Sequence, residues 1–423
     1  MRLRPLVLAF SVAFSASPLA WAQMQMTSST GPALESMAAG AGRYLTTRGL
    51  ASGLKLGEDA ILHAGVFADI GYDSNVFYTT SAEAAPVLHV TPRLELTNAE
   101  RDGSIPSGTY YNLNASADWR EYLTNKPDIQ NQNALNPSVG GTAEFSSGQA
   151  LSLSLADAFS RYEQAPYTSV GPPITRDDNM ASASLKFAPG GGRLRVMLRY
   201  SNLIDNYEGA YAKGSNMGNE AVLDIGWRWL PKTSIYVQAA QGVITYLNGG
   251  SGDSASYPLR TLLGLRGLLT EKLAVNIAAG YNNAFYSSAG NPTGFGNVGI
   301  VTELNYNMSM LSQAGIGYHH DFANSPFVGQ YYNMDAIYGA YRQMIAGRVV
   351  TYAYGRFENR RFGTVSRTDN YIIGGVSIDY MIGNFFLAGA SYTLNLNRTS
   401  DNSATGGIDY AKHVLLFRLG VVY

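Results

Sequence analysis

Hydrophobic and polar residues alternate with a period of two from about residue 60 to Tyr423. Leu62, Val66, Ala68, Ile70 and Tyr72 share one phase, and His63, Gly65, Phe67, Asp69, Gly71 and Asp73 share the other. The next segment sets Leu88, Val90, Leu94 and Leu96 against His89, Thr91, Arg93 and Glu95. Further on, Leu194, Val196, Leu198 and Tyr200 oppose Arg193, Arg195, Met197 and Arg199. Ala221, Leu223, Ile225, Trp227 and Trp229 oppose Val222, Asp224, Gly226 and Arg228. Successive side chains of a strand point to opposite faces, so each segment reads as a strand with one apolar and one polar face. Full charges recur on the polar face.

Alternation alone fits a soluble sandwich as well as a membrane barrel, and the connections separate the two. Tight turns around Gly148, Gly190 to Gly192, Pro231-Lys232, Glu271-Lys272, Asn307 to Met310, Ala346-Gly347 and Gly383-Asn384 alternate with longer links. The longer ones lie near Lys126 to Asn133, Pro166 to Asp177, Tyr207 to Ser215, Asn248 to Ser256, Ser287 to Thr293 and Asn397 to Gly407. Short turns at one end and long loops at the other mark an outer-membrane barrel. The expected fold is therefore an all-β, transmembrane, antiparallel up-and-down barrel over residues 59–423. About 18 strands fit that span, at roughly 20 residues per strand and connection. The number falls to about 16 if the pair 134–145 and 150–162 is irregular. Asp157 sits on the apolar phase of that pair, which predicts either a bulge or a position above the membrane.

The last strand ends in Leu415, Phe417, Leu419, Val421 and Tyr423 at steps of two, with Lys412 and Arg418 on the opposite face. It resembles the terminal signal that barrel-insertion machinery reads. At the other end, Arg2 and Arg4 precede the apolar run Leu6 to Phe14 and the small-residue site Ala20-Trp21-Ala22. This pattern predicts a signal peptide over residues 1–22. Residues 23–58 are small and polar without a period of two. They read as a periplasmic leader or partial lumen plug, with one short helix over Ala33 to Tyr44.

Composition removes several other functions. The chain has no cysteine, which excludes disulfide scaffolds and thiolate metal sites, and no other signal for a cofactor or metal appears. Lys and Arg total 30 against 31 Asp and Glu, so the basic excess needed to bind nucleic acid is missing. Only 14% of residues are charged, roughly half the usual fraction of about 25%.

The first hairpin carries Gly71-Tyr72-Asp73-Ser74-Asn75-Val76-Phe77, followed by Thr91-Pro92-Arg93-Leu94-Glu95-Leu96. Over roughly residues 58–122 it resembles the outer-membrane β-barrel porins associated with exopolysaccharide synthesis and export, whose first hairpin reads GYDxNVF. The resemblance implies a channel for a secreted polysaccharide, without enzyme activity, partnered by outer-membrane lipids and a periplasmic polysaccharide-export protein. Asp73 and Asn75 are also good turn residues, so the motif reads equally as a folding device.

Strand phase assigns the lumen. Its basic positions are Arg93, Arg120, Arg193, Arg195, Arg199, Arg228, Arg260, Arg266, Arg356, Arg360, Lys412 and Arg418. Its acidic positions are Asp69, Asp73, Glu95, Asp118, Asp224, Glu303, Asp335, Glu358 and Asp379. Tyr352, Tyr354, Tyr371 and Tyr410 face the same way. Paired charges would stiffen the wall, whereas unpaired arginines beside tyrosines would form a track for an anionic glycan. The function expected from this reading is export of a polysaccharide through a basic, aromatic-lined lumen, with passive uptake of nutrients through a diffusion porin as the alternative. A barrel lipase or deacylase would need an outward His-Ser pair. His63, His89, His319, His320 and His413 offer no such dyad in sequence.

Overall fold

The structure is a computed structural model, and it describes residues 53–57, 60–98, 108–165, 173–248, 255–286, 296–309, 311–325, 330–363, 365–401 and 407–423. The signal peptide and the helix expected over Ala33 to Tyr44 lie outside these residues, as does nearly all of the leader. A short strand β1 (Leu54–Leu56) precedes β2 (Ala60–Asp73), β3 (Ala85–Thr97), β4 (Gly108–Tyr122), β5 (Ala134–Ser147) and β6 (Leu151–Gln164). Then come β7 (Ile174–Phe187), β8 (Leu194–Tyr207), β9 (Asn216–Leu230), β10 (Thr233–Tyr246), β11 (Leu259–Leu268), β12 (Leu273–Asn283) and β13 (Gly296–Ser309). The chain ends with β14 (Ser312–Ser325), β15 (Gln330–Ile345), β16 (Val349–Phe362), β17 (Thr368–Ile382), β18 (Phe386–Thr399) and β19 (Tyr410–Val422).

Each strand from β2 to β19 pairs antiparallel with its sequence neighbours, and β19 returns to β2 with Val414 opposite Asp73 and Val421 opposite Val66. The result is a closed barrel of 18 strands. Closure leaves no unpaired edge, the condition for crossing a bilayer with strands. β1 is an addition, paired to the start of β2 through Leu54 and Leu62. The pair β5 and β6 is regular, so the larger strand number holds. Register shifts occur near the short-turn ends of β4, β10 and β13.

The apolar phase faces outward throughout. Val66, Ile70, Leu94, Leu198, Leu263, Ile316, Val376, Phe417 and Leu419 are all more than half exposed. Between Leu62 and Tyr72, ten residues at about 3.3 Å each with a tilt of about 40° give a band of about 25 Å. Aromatic residues edge this band on both sides: Trp229, Tyr306, Tyr380 and Tyr423 near the short turns, and Tyr72, Trp119, Tyr281 and Tyr392 toward the long loops. Amphipathic rings favour the headgroup region, so this distribution belongs to a membrane-spanning barrel.

Some assigned positions differ from the sequence reading. Asp335 faces outward, because Ile337 fixes the phase of β15 and odd-numbered residues share its side. It meets His320 at 2.7 Å, the Tyr318 hydroxyl at 2.7 Å and the Arg361 guanidinium. Beyond the apolar band both faces are wet, so a charge there carries no information about phase. Arg193 lies outside β8, after Gly190, Gly191 and Gly192, all at positive φ, where strand alternation has not begun. Its guanidinium packs 4.9 Å from the ring of the outward Trp227. Of the two outcomes expected at Asp157 the bulge is absent, since the residue sits in unbroken register opposite Gly141 and Ala181. It accepts a hydrogen bond from Asn179 at 3.0 Å in an outward polar patch beside Arg161 and Asp177. The link expected over Pro166 to Asp177 is shorter, since β7 already begins at Ile174.

Candidate transport pathway

The GYDxNVF segment folds the first long loop against the inner wall. Gly71 lies on the closing seam, where an added Cβ would stand 1.8 Å from the carbonyl oxygen of Leu415. Only glycine permits strands to approach so closely. Tyr72 faces lipid. Asp73 is buried on the inner face, where it accepts from the Tyr122 hydroxyl at 2.9 Å and pairs with Lys412 at 2.8 Å. Its other oxygen accepts the Asn75 backbone N–H at 3.0 Å, an Asx turn that reverses the chain. Asn75, fully buried, donates to the carbonyls of Thr79 at 2.7 Å and Ala411 at 3.1 Å, and accepts from the Thr79 N–H at 3.0 Å. The Ser74 hydroxyl accepts from the His413 N–H at 2.8 Å. Val76 packs with Ala85, Val87, Tyr122 and Ile129, and Phe77 and Leu416 lie against this cluster. From Asp73 to Phe77 the motif is thus engaged in loop construction.

That loop delivers Tyr78 into the interior at φ +55°. Bulky residues rarely occupy this region, and the surrounding contacts must hold one there. Tyr78 meets Tyr410 edge to face at 5.3 Å, and the Lys412 ammonium sits 4.0 Å from its ring centroid. Tyr371, Ile373, Ile408 and Tyr410 form a buried cluster, against which Tyr78, Tyr354 and Ala165 pack. Ala165 follows β6, four strands beyond β2, so the long-loop end is narrowed by contacts made across the barrel mouth.

Most inward arginines are paired. Asp224 receives both Arg195 at 3.2 Å and Arg266 at 2.6 Å. Arg199 faces Glu220 at 3.8 Å, Arg260 meets Asp321 at 2.9 Å, and Arg418 meets Asp69 at 2.6 Å and Asp379 at 3.7 Å. Glu358 joins Arg356 and Arg360, the latter at 2.7 Å through Nε. Arg360 also lies over Tyr371, with 4.6 Å to the ring centroid. Arg120 pairs with Glu163 at 2.7 Å, and Arg228 donates to the Gly191 carbonyl in the neighbouring turn. Arg93 also has a partner. These arginines brace the wall rather than line a free basic track. Tyr352 and Tyr354 remain together at 5.7 Å between centroids, on the half-buried inner face of β16.

Further inward charges escaped the phase reading. Arg176 is completely buried and donates to Asp205 at 2.8 Å between the rings of Tyr162 and Tyr207. It fell in a segment read as loop, although alternation resumes from Ile174. Glu220, Asp205, Asp178 and Asp321 lie on the inner phase of β9, β8, β7 and β14. The histidines scatter. His319 is buried inward and His320 faces outward, while His413 bonds the Tyr392 hydroxyl at 2.7 Å on the outer face. Among the described residues no group of three His, Asp or Glu is arranged to hold a metal ion.

No protein-family model and no curated protein matches this chain. Solved structures of similar architecture include OccAB3 of Acinetobacter baumannii, at 10% identity and a TM-score of 0.45, covering 86% of this chain and 99% of that one. OccK9 (OpdG) of Pseudomonas aeruginosa aligns at 11% identity and a TM-score of 0.45 with the same coverage. OpdK of Pseudomonas aeruginosa, solved with vanillate, aligns at 10% identity and a TM-score of 0.44, again over 86% of this chain and 99% of that one.

Proposed function

We propose that the protein is an outer-membrane channel through which small polar solutes diffuse, with no catalytic step. The observation that carries this reading is the first loop, folded inward so that Tyr78 packs on Tyr410 and Lys412. An inward loop narrows a wide barrel and sets a size limit. The braced charges support the same reading. Paired within and between strands, they make a stiff polar wall that lets hydrated solutes pass without holding them. The alternation of aromatic girdles and apolar band supports an outer-membrane location.

Export of a polysaccharide is the second reading, favoured by the inward pair Tyr352 and Tyr354 and by the resemblance of the first hairpin. Aromatic faces stack on sugar rings, and consecutive rings suit a polymer. Deleting the gene separates the two. Diffusion requires slower uptake of small solutes with surface carbohydrate unchanged, and loss of surface carbohydrate with unchanged uptake would reverse the assignment.

A further inference from the structure

The inner wall of β13 to β18 carries two adjacent rows of residues set by strand register. The outer row contains Gly315, Ala340, Tyr354 and Gly375, all uncharged and mostly small. The row toward the short turns reads Asn307, Gln313, Arg342, Tyr352, Ser377 and Ser391, each directly opposite the next. Arg342 is the single charge in both rows. The other inward guanidiniums named above are all engaged, most of them by carboxylates, whereas Arg342, half-buried, makes no hydrogen bond, ion pair or ring contact among the described residues.

From this placement we propose that Arg342 is an oxyanion-binding site on the solute pathway, taking a carboxylate or phosphate group of a passing solute beside the face of Tyr352. The inference rests on the channel reading above. A guanidinium presents a planar fork of donors to an oxyanion. The row beside it offers no competing charge, since the side chains that cover Gly315 and Gly375 are those of Asn305 and Tyr354. Where the remaining charges are neutralised by their partners, one uncompensated cation in a low-dielectric wall sets the local potential. One opposing charge stands nearby. Glu303 faces inward, bonded only to neutral groups, the Tyr338 hydroxyl at 2.6 Å and Asn276 at 3.4 Å. It sits across from Tyr338, four residues along β15 from Arg342. Removing it should act in the opposite sense.

Purified full-length protein in planar bilayers under a potassium chloride gradient tests the site, with Arg342→Gln, Arg342→Lys and Glu303→Gln compared with the parent. A unit charge acting over about 8 Å of screened water changes the cation-to-anion permeability ratio about twofold. Arg342→Gln should raise that ratio by about this factor, Arg342→Lys should keep it, and Glu303→Gln should lower it. Repeating the gradient with potassium acetate and potassium phosphate shows which oxyanion loses permeability in Arg342→Gln. A folded Arg342→Gln protein with unchanged ratios in all three salts overturns the site, as does an Arg342→Lys protein that behaves like Arg342→Gln. Absence of conductance in the parent protein would instead refute the channel reading itself.

Discussion

Lys412 and Asp73 meet at 2.8 Å across the seam that closes the barrel, and the same ammonium lies 4.0 Å from the ring of Tyr78. One buried ion pair therefore ties closure of the wall to the position of the first loop. Asn75 completes the link by bonding both Thr79 in the loop and Ala411 on the last strand.

Replacing Asn75 with Ala should release the loop. The substitution leaves buried backbone groups without partners, at a cost of about 1–3 kcal/mol each. The barrel should persist, because its strand ladders are untouched, while Tyr78 leaves the passage. Single-channel conductance should rise. Conductance equal to that of the parent protein would show that the loop does not narrow the pathway.

Lys412→Met removes one partner of a buried pair and leaves Asp73 with the Tyr122 hydroxyl. Breaking such pairs costs about 3–5 kcal/mol. The temperature at which the folded form is lost on a heat-modifiability gel should fall markedly. The double change Lys412→Met with Asp73→Leu should recover part of the loss, because no unpaired charge then remains.

Gly71→Ala places a methyl group against the Leu415 carbonyl and should prevent the seam from pairing. Gly355→Ala is the control. It lies on the lipid face of β16, where an added Cβ meets nothing within 4 Å. The first protein should fail to migrate as a folded barrel and the second should migrate normally. Equal behaviour would contradict the register at the seam.

Much of this architecture was legible in the alternation of apolar and polar residues, since every strand keeps one side toward lipid. Phase at Phe417, Leu419 and Val421 could be read because an outward residue in the apolar band must be hydrophobic. Beyond the band that constraint ends, which is why Asp335 and Arg193 were misplaced. Pairing was not legible. Phase assigned Arg195, Arg266 and Asp224 to the inner face, but their meeting at one carboxylate depends on the register of four strands, β8 to β11. The inward turn of the first loop was equally hidden, because Asp73 and Asn75 are ordinary turn residues in sequence. Arg342 shares its phase with Tyr338 and Ala340, and only the missing partner distinguishes it.

Charge placement follows the same division between faces. Phe417→Arg points a cation at the bilayer and should cost about 2–4 kcal/mol near its midplane. Ser391→Arg, one strand away on the inner face, should be tolerated because the lumen is wet. Reversing Arg195, Arg199 and Arg356 to Glu together should hinder assembly, since each would then face the buried Asp224, Glu220 or Glu358. Normal folding of this triple variant would show that these pairs do not brace the wall.

Swelling of liposomes that contain the purified protein, followed with solutes of increasing size, tests the passive channel most directly. A passage narrowed by the first loop admits monosaccharides and small carboxylates at rates that fall steeply with size, and Asn75→Ala shifts the limit upward. Vesicles that do not swell in any small solute, although the barrel is folded, would contradict a diffusion channel.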